Sequence, residues 1–325
     1  MTVLEVKKLN LGFECECGFR QALYDVSFSL EPGKMHALVG ESGCGKTISA
    51  MSILRLLPKT AYITSGEILY GSNDILKLPV KKLQKLRGAK IALIPQDPMT
   101  SLNPLYTIGD QLLEVIKIHQ GLQGKEAFNK AVEALELVRI PCAKERMKAY
   151  PHEFSGGMKQ RAIIAMALAC NAEILIADEP TTALDVTIQA QIMNLLKDIQ
   201  KNTGTAILLI THDLALVSEN ADYVSVMYAG HIVENAPADE FFKNPNHPYT
   251  LALLKSMPSV RRNEKLSTIT GQPPSIQQFI NGCKFHPRCE NCMDICKNIV
   301  PPVYYVGENH FSSCFLNKDD RCNEG

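Results

Sequence analysis

The sequence has no excess charge of either sign: 34 Lys and Arg stand against 34 Asp and Glu. Nothing in bulk charge therefore points to a nucleic-acid partner. Long apolar runs are missing too. The longest, which begins at Ala162, is too short to span a bilayer, so any membrane association goes through a partner. The opening Met-Thr-Val-Leu-Glu-Val-Lys-Lys lacks an apolar core, and no signal peptide is expected. Internal repeats, low-complexity tracts and long coiled coils are also lacking, which excludes solenoids and fibrous classes. What is present is ordinary for a globular protein. The 325 residues are 46% apolar and 21% charged, enough for one large domain or about two of usual size. The 11 cysteines are many, and six of them lie between Cys283 and Cys322. With no export signal, that terminal group reads as metal-binding rather than disulfide-bonded.

The most informative stretch is Gly40-Glu41-Ser42-Gly43-Cys44-Gly45-Lys46-Thr47, which fits G-x-x-x-x-G-K-[ST] at every fixed position. Its glycines let the backbone bend tightly and approach a phosphate. The loop N–H groups then form an anion cradle at a helix N-terminus. Lys46 brings a point charge to the β- and γ-phosphates, and Thr47 offers a hydroxyl to Mg²⁺. Cys44 contributes mainly through its backbone. The apolar run Met35–Val39 predicts a buried strand before the loop, and Ile48–Leu57 predicts a helix after it, ended by Pro58. Strand, loop and helix together point to nucleotide binding rather than a chance glycine-rich turn. No second phosphate loop is present.

Residues 1–39 alternate apolar and polar and read as strands. Phe13, Phe19 and Tyr24 are candidates to stack on adenine, with ordinary strand packing as the alternative. Residues 62–95 read as further strands and a short polar helix. Ile91–Pro95 is a strand with Gln96 at its end, where an amide can reach a metal or a nucleophilic water. Residues 103–150 switch to helical spacing and read as a helical insertion. Ser155, Gly156 and Gly157 then stand where an Ala-rich helix starts. That is either a second anion site or a plain Ser cap with glycine flexibility. Ile174–Ala177 is a buried strand ending in Asp178 and Glu179. Asp178 is placed to hold Mg²⁺ through water, and Glu179 to orient and polarise the attacking water. Thr205–Thr211 is another strand, with His212 at its end, in reach of a γ-phosphate or that water. Alternating strands and helices indicate an α/β fold with a mostly parallel sheet and ligands at the strands' carboxyl ends. Residues 237–282 read as a Pro-rich, polar connector.

Taken together, GESGCGKT, Gln96 of IPQDP, FSGGMKQR, ILIADEP and His212 of ITHD resemble the ATPase subunit of ATP-binding cassette (ABC) transporters over residues 1–240. Ala183-Leu184-Asp185 looks like that family's D-loop. The resemblance implies a P-loop nucleotide-binding domain with an antiparallel β subdomain, a helical insertion at about 97–165 and a C-terminal extension over 241–325. It implies a head-to-tail dimer in which Ser155, Gly156 and Gly157 act on a partner's nucleotide. Phe154 and Met158 depart from the usual LSGGQ signature, which removes the polar contact made there through Gln. ATP and Mg²⁺ are the implied cofactors, with Gly40–Thr47 on the nucleotide, Thr47, Gln96 and Asp178 on Mg²⁺, and Glu179, His212 and Gln96 at the reacting phosphate.

A narrower resemblance, to the dipeptide, oligopeptide and nickel importer branch, comes from DPMTSLNPLYTIGDQL, ALDVTIQAQIMNLL and NPNHPYTLALLKSMP. In the tail, Cys283, Cys289, Cys296 and Cys314 stand with five, six and seventeen residues between them. Residue chemistry leaves zinc, encouraged by Cys289-x-x-Cys292, and an iron–sulfur cluster both open. The resemblance implies a [4Fe–4S] cluster on those four cysteines, about 283–314, without Cys292. The expected function is that of an ATPase powering a peptide importer, peripheral on the cytoplasmic face of the membrane. Its expected partners are a sister ATPase, or a second copy of itself, two permease subunits and, indirectly, an extracytoplasmic solute-binding protein; nucleic acid is not expected. A nickel importer of the same branch, a soluble cassette ATPase acting on ribosomes or DNA, and a cluster-based electron carrier are the rivals.

Overall fold

The computed structural model describes residues 2–16, 18–182, 184–257 and 269–318. The chain divides into two compact units. One comprises Leu30–Met35 and Asn73–Ile210 with the first residues of the chain. The other comprises Leu4–Ser29, His36–Ser72 and the described residues from Thr211 onward.

The first unit is built on three parallel strands, Ile91–Ile94, Ile174–Asp178 and Ala206–Thr211. In register, Ile91 faces Ile174 and Asp178 faces Ile210. The two later strands are buried at every residue, which is why they read as unbroken apolar runs rather than alternating ones. The crossover between them is the helix Val186–Thr203. Its N-terminus is capped by Asp185, which accepts from the Ile188 N–H at 2.9 Å, and it ends at Gly204 in the left-handed region. Ile192, Leu195, Leu196 and Ile199 form its buried stripe, spaced at three and four residues. Each such side chain contributes roughly 2 kcal/mol on burial.

Between the first two strands lie the helices Ile108–Gln120, Gly124–Leu137 and Gly156–Leu168. Thr107 and Asp110 form a reciprocal capping box at the start of the first. The third packs against both others and buries Ala162, Ile163, Ile164, Ala165 and Ala167. Its alanines let the neighbouring helices approach closely.

The second unit opens with an antiparallel pair, Leu4–Cys15 and Ala61–Tyr70. Leu4 and Val6 are buried, then Leu9 and Leu11, so the alternation changes parity. The cause is local: Lys8 has φ 43° and the register slips between Lys7 and Asn10. A bulge there keeps the same face buried on both sides of the slip. Met35–Val39 runs parallel to Tyr223–Tyr228, which pairs antiparallel with His231–Pro237 through an Ala229-Gly230 turn. A hairpin of Tyr304–Gly307 and His310–Ser312 extends this sheet at Glu234 and Asn235.

The stretch 237–282 is more than a connector. It holds the helices Ala238–Lys243 and Pro248–Lys255. Pro248 sits at the first helical position, where it costs no hydrogen bond, and His247 caps the helix by accepting from the Tyr249 N–H at 3.1 Å. Phe241 and Tyr249 are buried with Val224, Val226, Tyr228 and Phe285. The Phe285 ring lies 5.2 Å from both tyrosine rings. Beside this core, the fully buried Glu234 carboxylate accepts from the Asn246 N–H (2.7 Å), the His247 N–H (2.9 Å) and His310 Nε2 (2.9 Å). Those partners satisfy a charge that would otherwise be prohibitive to bury. Among the described residues no helix is long and apolar enough to cross a membrane.

Candidate functional site

The phosphate loop lies in the second unit. Gly40 has φ 150°, and a Cβ there would stand 2.2 Å from the Met227 carbonyl oxygen. At Gly45 φ is 112°, and a Cβ would meet Leu23 Cδ2 at 2.7 Å. Both positions require glycine, one for a close backbone approach and one for a left-handed helix entry. Gly45 begins the helix Lys46–Ile53, and no side chain caps it. An anion placed there would meet the positive end of the helix. Lys46 is 5% exposed, and its Nζ donates to the carbonyls of Gly40 (2.8 Å) and Glu41 (3.1 Å). Ser42, Gly43 and Thr47 are exposed, while Cys44 is buried. Burial pushes the Cys44 thiol up, against the pull of Lys46. The Cys44 carbonyl accepts from Gly230 at 2.9 Å.

The carboxylates lie in the first unit. Asp178 is 2% exposed and closes the 174–178 strand. Glu179 follows with φ 45°, a left-handed conformation that turns the chain sharply, and its N–H donates to the Ile210 carbonyl at 2.9 Å. Its Oε2 accepts from Gln96 Nε2 at 2.8 Å and from Thr182 Oγ1 at 3.0 Å. The structure thus brings together Gln96 and Glu179, which are 83 residues apart in sequence. Thr182 was not singled out by sequence reasoning; the only signal was its place three residues after Glu179. Asp97, next to Gln96, caps a short helix through the Met99 N–H and Thr100 Oγ1, which hold its carboxyl below the usual range.

In the same unit Ser155 and Gly156 are exposed at the start of the helix Gly156–Leu168. Ser155 Oγ accepts from the Met158 N–H at 3.3 Å, so the serine is a helix cap as well as an anion-site candidate. Gly157 has a steric reason of its own: a Cβ would stand 2.8 Å from Ile188 Cγ2. His212 belongs to the second unit, exposed one residue past the 206–211 strand. Of the adenine candidates, Tyr24 stacks on His231 with ring centroids 4.5 Å apart, and Lys284 Nζ lies over its ring at 5.2 Å. Phe13 is partly buried, and Phe19 is 47% exposed. Ala183 lies outside the described residues, as do Cys17 and Cys322.

The tail cysteines converge. Cys283, Cys289, Cys296 and Cys314 line one small pocket with Phe285 and Pro301. Cys292 does not line it; its Sγ turns to the Met293 carbonyl at 3.6 Å. Burial, reinforced by the neighbouring thiols, pushes Cys283 and Cys289 up to about 11 and raises Cys314. Among the described residues no three His, Cys, Asp or Glu side chains converge closely enough to hold one metal ion.

Comparison with known proteins bears on the family and the fold. A family model described as "ABC transporter" matches residues 23–182, and one described as "Oligopeptide/dipeptide transporter, C-terminal region" matches 233–296. The oligopeptide transport ATP-binding protein OppD of Bacillus subtilis is 47% identical over 321 residues, covering 98% of this chain and 90% of that protein. The dipeptide transport ATP-binding protein DppD of the same organism is 47% identical over 316 residues, covering 97% of this chain and 94% of that one. Among solved structures, a dimeric ATP-binding cassette in a post-hydrolysis state bound to ADP and Pi aligns with a TM-score of 0.65 at 26% identity. That alignment covers 72% of this chain and 98% of the other.

Proposed function

The chain belongs to the ABC transporter family and is an ATP-hydrolysing transporter subunit; from that premise we propose that it powers the import of dipeptides or oligopeptides. The observation that carries the hydrolytic reading is the Glu179 carboxylate, held at a strand end by Gln96 and Thr182. In this reading Gly40, Glu41, Ser42, Gly43, Cys44, Gly45, Lys46 and Thr47 cradle the triphosphate. Thr47, Gln96 and Asp178 serve Mg²⁺, the last through water. Glu179 holds a water and takes its proton as the oxygen attacks the γ-phosphorus. The bond to the β-phosphate oxygen breaks, and ADP and phosphate leave. His212 steadies the γ-phosphate, and positioning with charge stabilisation supplies most of the rate.

Ser155, Gly156 and Gly157, the first two exposed, act on the nucleotide of a second cassette, so the working unit is a dimer with a sister ATPase or a second copy. Residues 1–240 form the nucleotide-binding domain, and 241–325 the extension. Gln96 and the adjacent helical insertion face the two permease subunits, and the chain is peripheral on the cytoplasmic face of the membrane. The solute-binding protein acts through those permeases. Phe13, Phe19 and Tyr24 are the aromatic candidates to stack on adenine.

Cys283, Cys289, Cys296 and Cys314 hold a [4Fe–4S] cluster in this reading. One feature supports the fit: the four line one pocket. The four would hold such a cluster as thiolates, and it would supply iron–sulfur bonds to groups that burial otherwise keeps protonated at Cys283, Cys289 and Cys314. The test is anaerobic purification with iron, sulfide and zinc analysis. About four irons and four sulfides per chain are expected. Stoichiometric zinc without sulfide would refute the cluster.

A further inference from the structure

Glu41 follows the first glycine of the phosphate loop, and its side chain and N–H are both anchored from beyond residue 248. Its backbone N–H donates to Tyr249 Oη at 3.0 Å. Its carboxylate takes a bidentate pair from Arg288, Nη1 to Oε2 at 2.6 Å and Nη2 to Oε1 at 3.0 Å. The rest of that guanidinium is occupied as well. Nε donates to the Thr270 carbonyl (2.9 Å), Nη2 to the Gly271 carbonyl (3.2 Å) and Nη1 to Tyr228 Oη (3.4 Å). Every N–H of the arginine thus has an acceptor, and the group lies 5.8 Å above the Tyr228 ring. The Arg288 side chain is 6% exposed and that of Glu41 25%. A lysine in the same place could reproduce neither the fork nor the saturation.

The loop needs such an anchor. Three of its eight residues are glycines, which have little conformational preference of their own. The Glu41 carbonyl also accepts from Lys46 Nζ at 3.1 Å and from the Cys44 N–H at 3.3 Å. Shifting Glu41 therefore shifts the lysine and the N–H groups that would meet a phosphate. Arg288 closes the 3₁₀ turn His286–Arg288, between Cys283 and Cys289. That turn is pinned by His286 N–H to the Cys283 carbonyl at 3.1 Å.

We propose that Arg288 is a positioning residue of the nucleotide site: delivered by the cysteine segment, it clamps Glu41 and holds the phosphate loop in its binding shape. ATP affinity then depends on the integrity of the tail. The inference rests on the loop taking ATP, as proposed above.

The test uses the full chain and compares wild type with Arg288→Ala, Arg288→Lys, Glu41→Gln and the Arg288→Ala/Glu41→Gln double variant. Equilibrium titration with a fluorescent ATP analogue, KM and kcat for ATP, thermal melting and iron content are read on each. Arg288→Ala is expected to weaken the analogue's Kd and raise KM about tenfold, as for loss of a charge-assisted pair, with kcat within about twofold. Arg288→Lys falls between, and the double variant binds no worse than Arg288→Ala, because both changes remove one interaction. An unchanged Kd, within about twofold, in both Arg288→Lys and Glu41→Gln would overturn the proposal, even if melting shifts. Those two variants decide the matter if Arg288→Ala does not fold. A wild type that binds no analogue would instead remove the nucleotide reading itself, and this inference with it.

Discussion

Replacing Glu179 by Gln removes a charge and leaves a shape. The amide has the same length, and its oxygen can still accept from Gln96 Nε2 and Thr182 Oγ1, now at 2.8 and 3.0 Å from Oε2. In the ground state the change weakens two charge-assisted hydrogen bonds to neutral ones, about 1 kcal/mol each. The group is half-buried, so solvent moderates even that. The transition state loses much more. A positioned general base contributes typically 10²–10⁴-fold, or about 2.7–5.5 kcal/mol of barrier. The variant should therefore bind ATP within about threefold of wild type while kcat falls by at least about a hundredfold. Phosphate release under saturating Mg-ATP gives kcat, and nucleotide titration gives affinity. Thr182→Val, which removes one of the two donors and keeps the carboxylate, should lie between, at roughly a fivefold loss. A Glu179→Gln turnover within about threefold of wild type, a barrier change under ~1 kcal/mol, would show that another group holds the water.

Other outcomes can be read on the chain itself. Phe285→Ala opens a space between Tyr228 and Tyr249 in the core of the second unit, and should cost about 3–4 kcal/mol in denaturant unfolding; a loss under ~1 kcal/mol would mean the tail is not part of that core. Gly157→Ala pushes a methyl against Ile188 Cγ2 and should destabilise by about 1–3 kcal/mol, with Ile188→Ala in the same chain recovering part of it. His36, His231 and His247 are held near pKa 4, chiefly by burial. Their folded pKa lies below the unfolded value, so the unfolded chain binds more protons as pH falls. Stability should be flat above about pH 6.5 and decline from there toward pH 4, by on the order of 1 kcal/mol per histidine at pH 5.5. A melting temperature that holds steady from pH 7 to 5 would contradict this.

The parts of the site that are local in sequence were legible there. The phosphate loop announces itself because eight consecutive residues must meet one geometric demand, and the structure gives Gly40 and Gly45 the backbone that demand requires. The buried parallel strands were legible because they are apolar without alternation. Contacts between distant residues were not legible. Nothing in IPQDP says that Gln96 will donate to Glu179, nor that Arg288, 247 residues from Glu41, will hold the loop. The stretch 237–282 reads as a connector because its helices are short and separated by Asn244-Pro245-Asn246. Their apolar anchors, Phe241 and Tyr249, find partners in strands upstream and in Phe285 downstream, which local pattern does not reveal. Nor does pattern say that Tyr24 will stack on His231, more than 200 residues away. The convergence of the tail cysteines on one pocket depends on a chain reversal through 297–313 that spacing does not encode.

The most direct measurement is uptake. The chain, with the proposed sister ATPase or as a second copy of itself, is reconstituted in vesicles with the proposed permeases and with the proposed solute-binding protein on the opposite face, and labelled di- and oligopeptides are followed. The account predicts peptide uptake that requires Mg-ATP on the ATPase side and stops when Glu179 is replaced by Gln. Uptake that persists in that variant, or ATP-driven movement of nickel with no peptide, would contradict it.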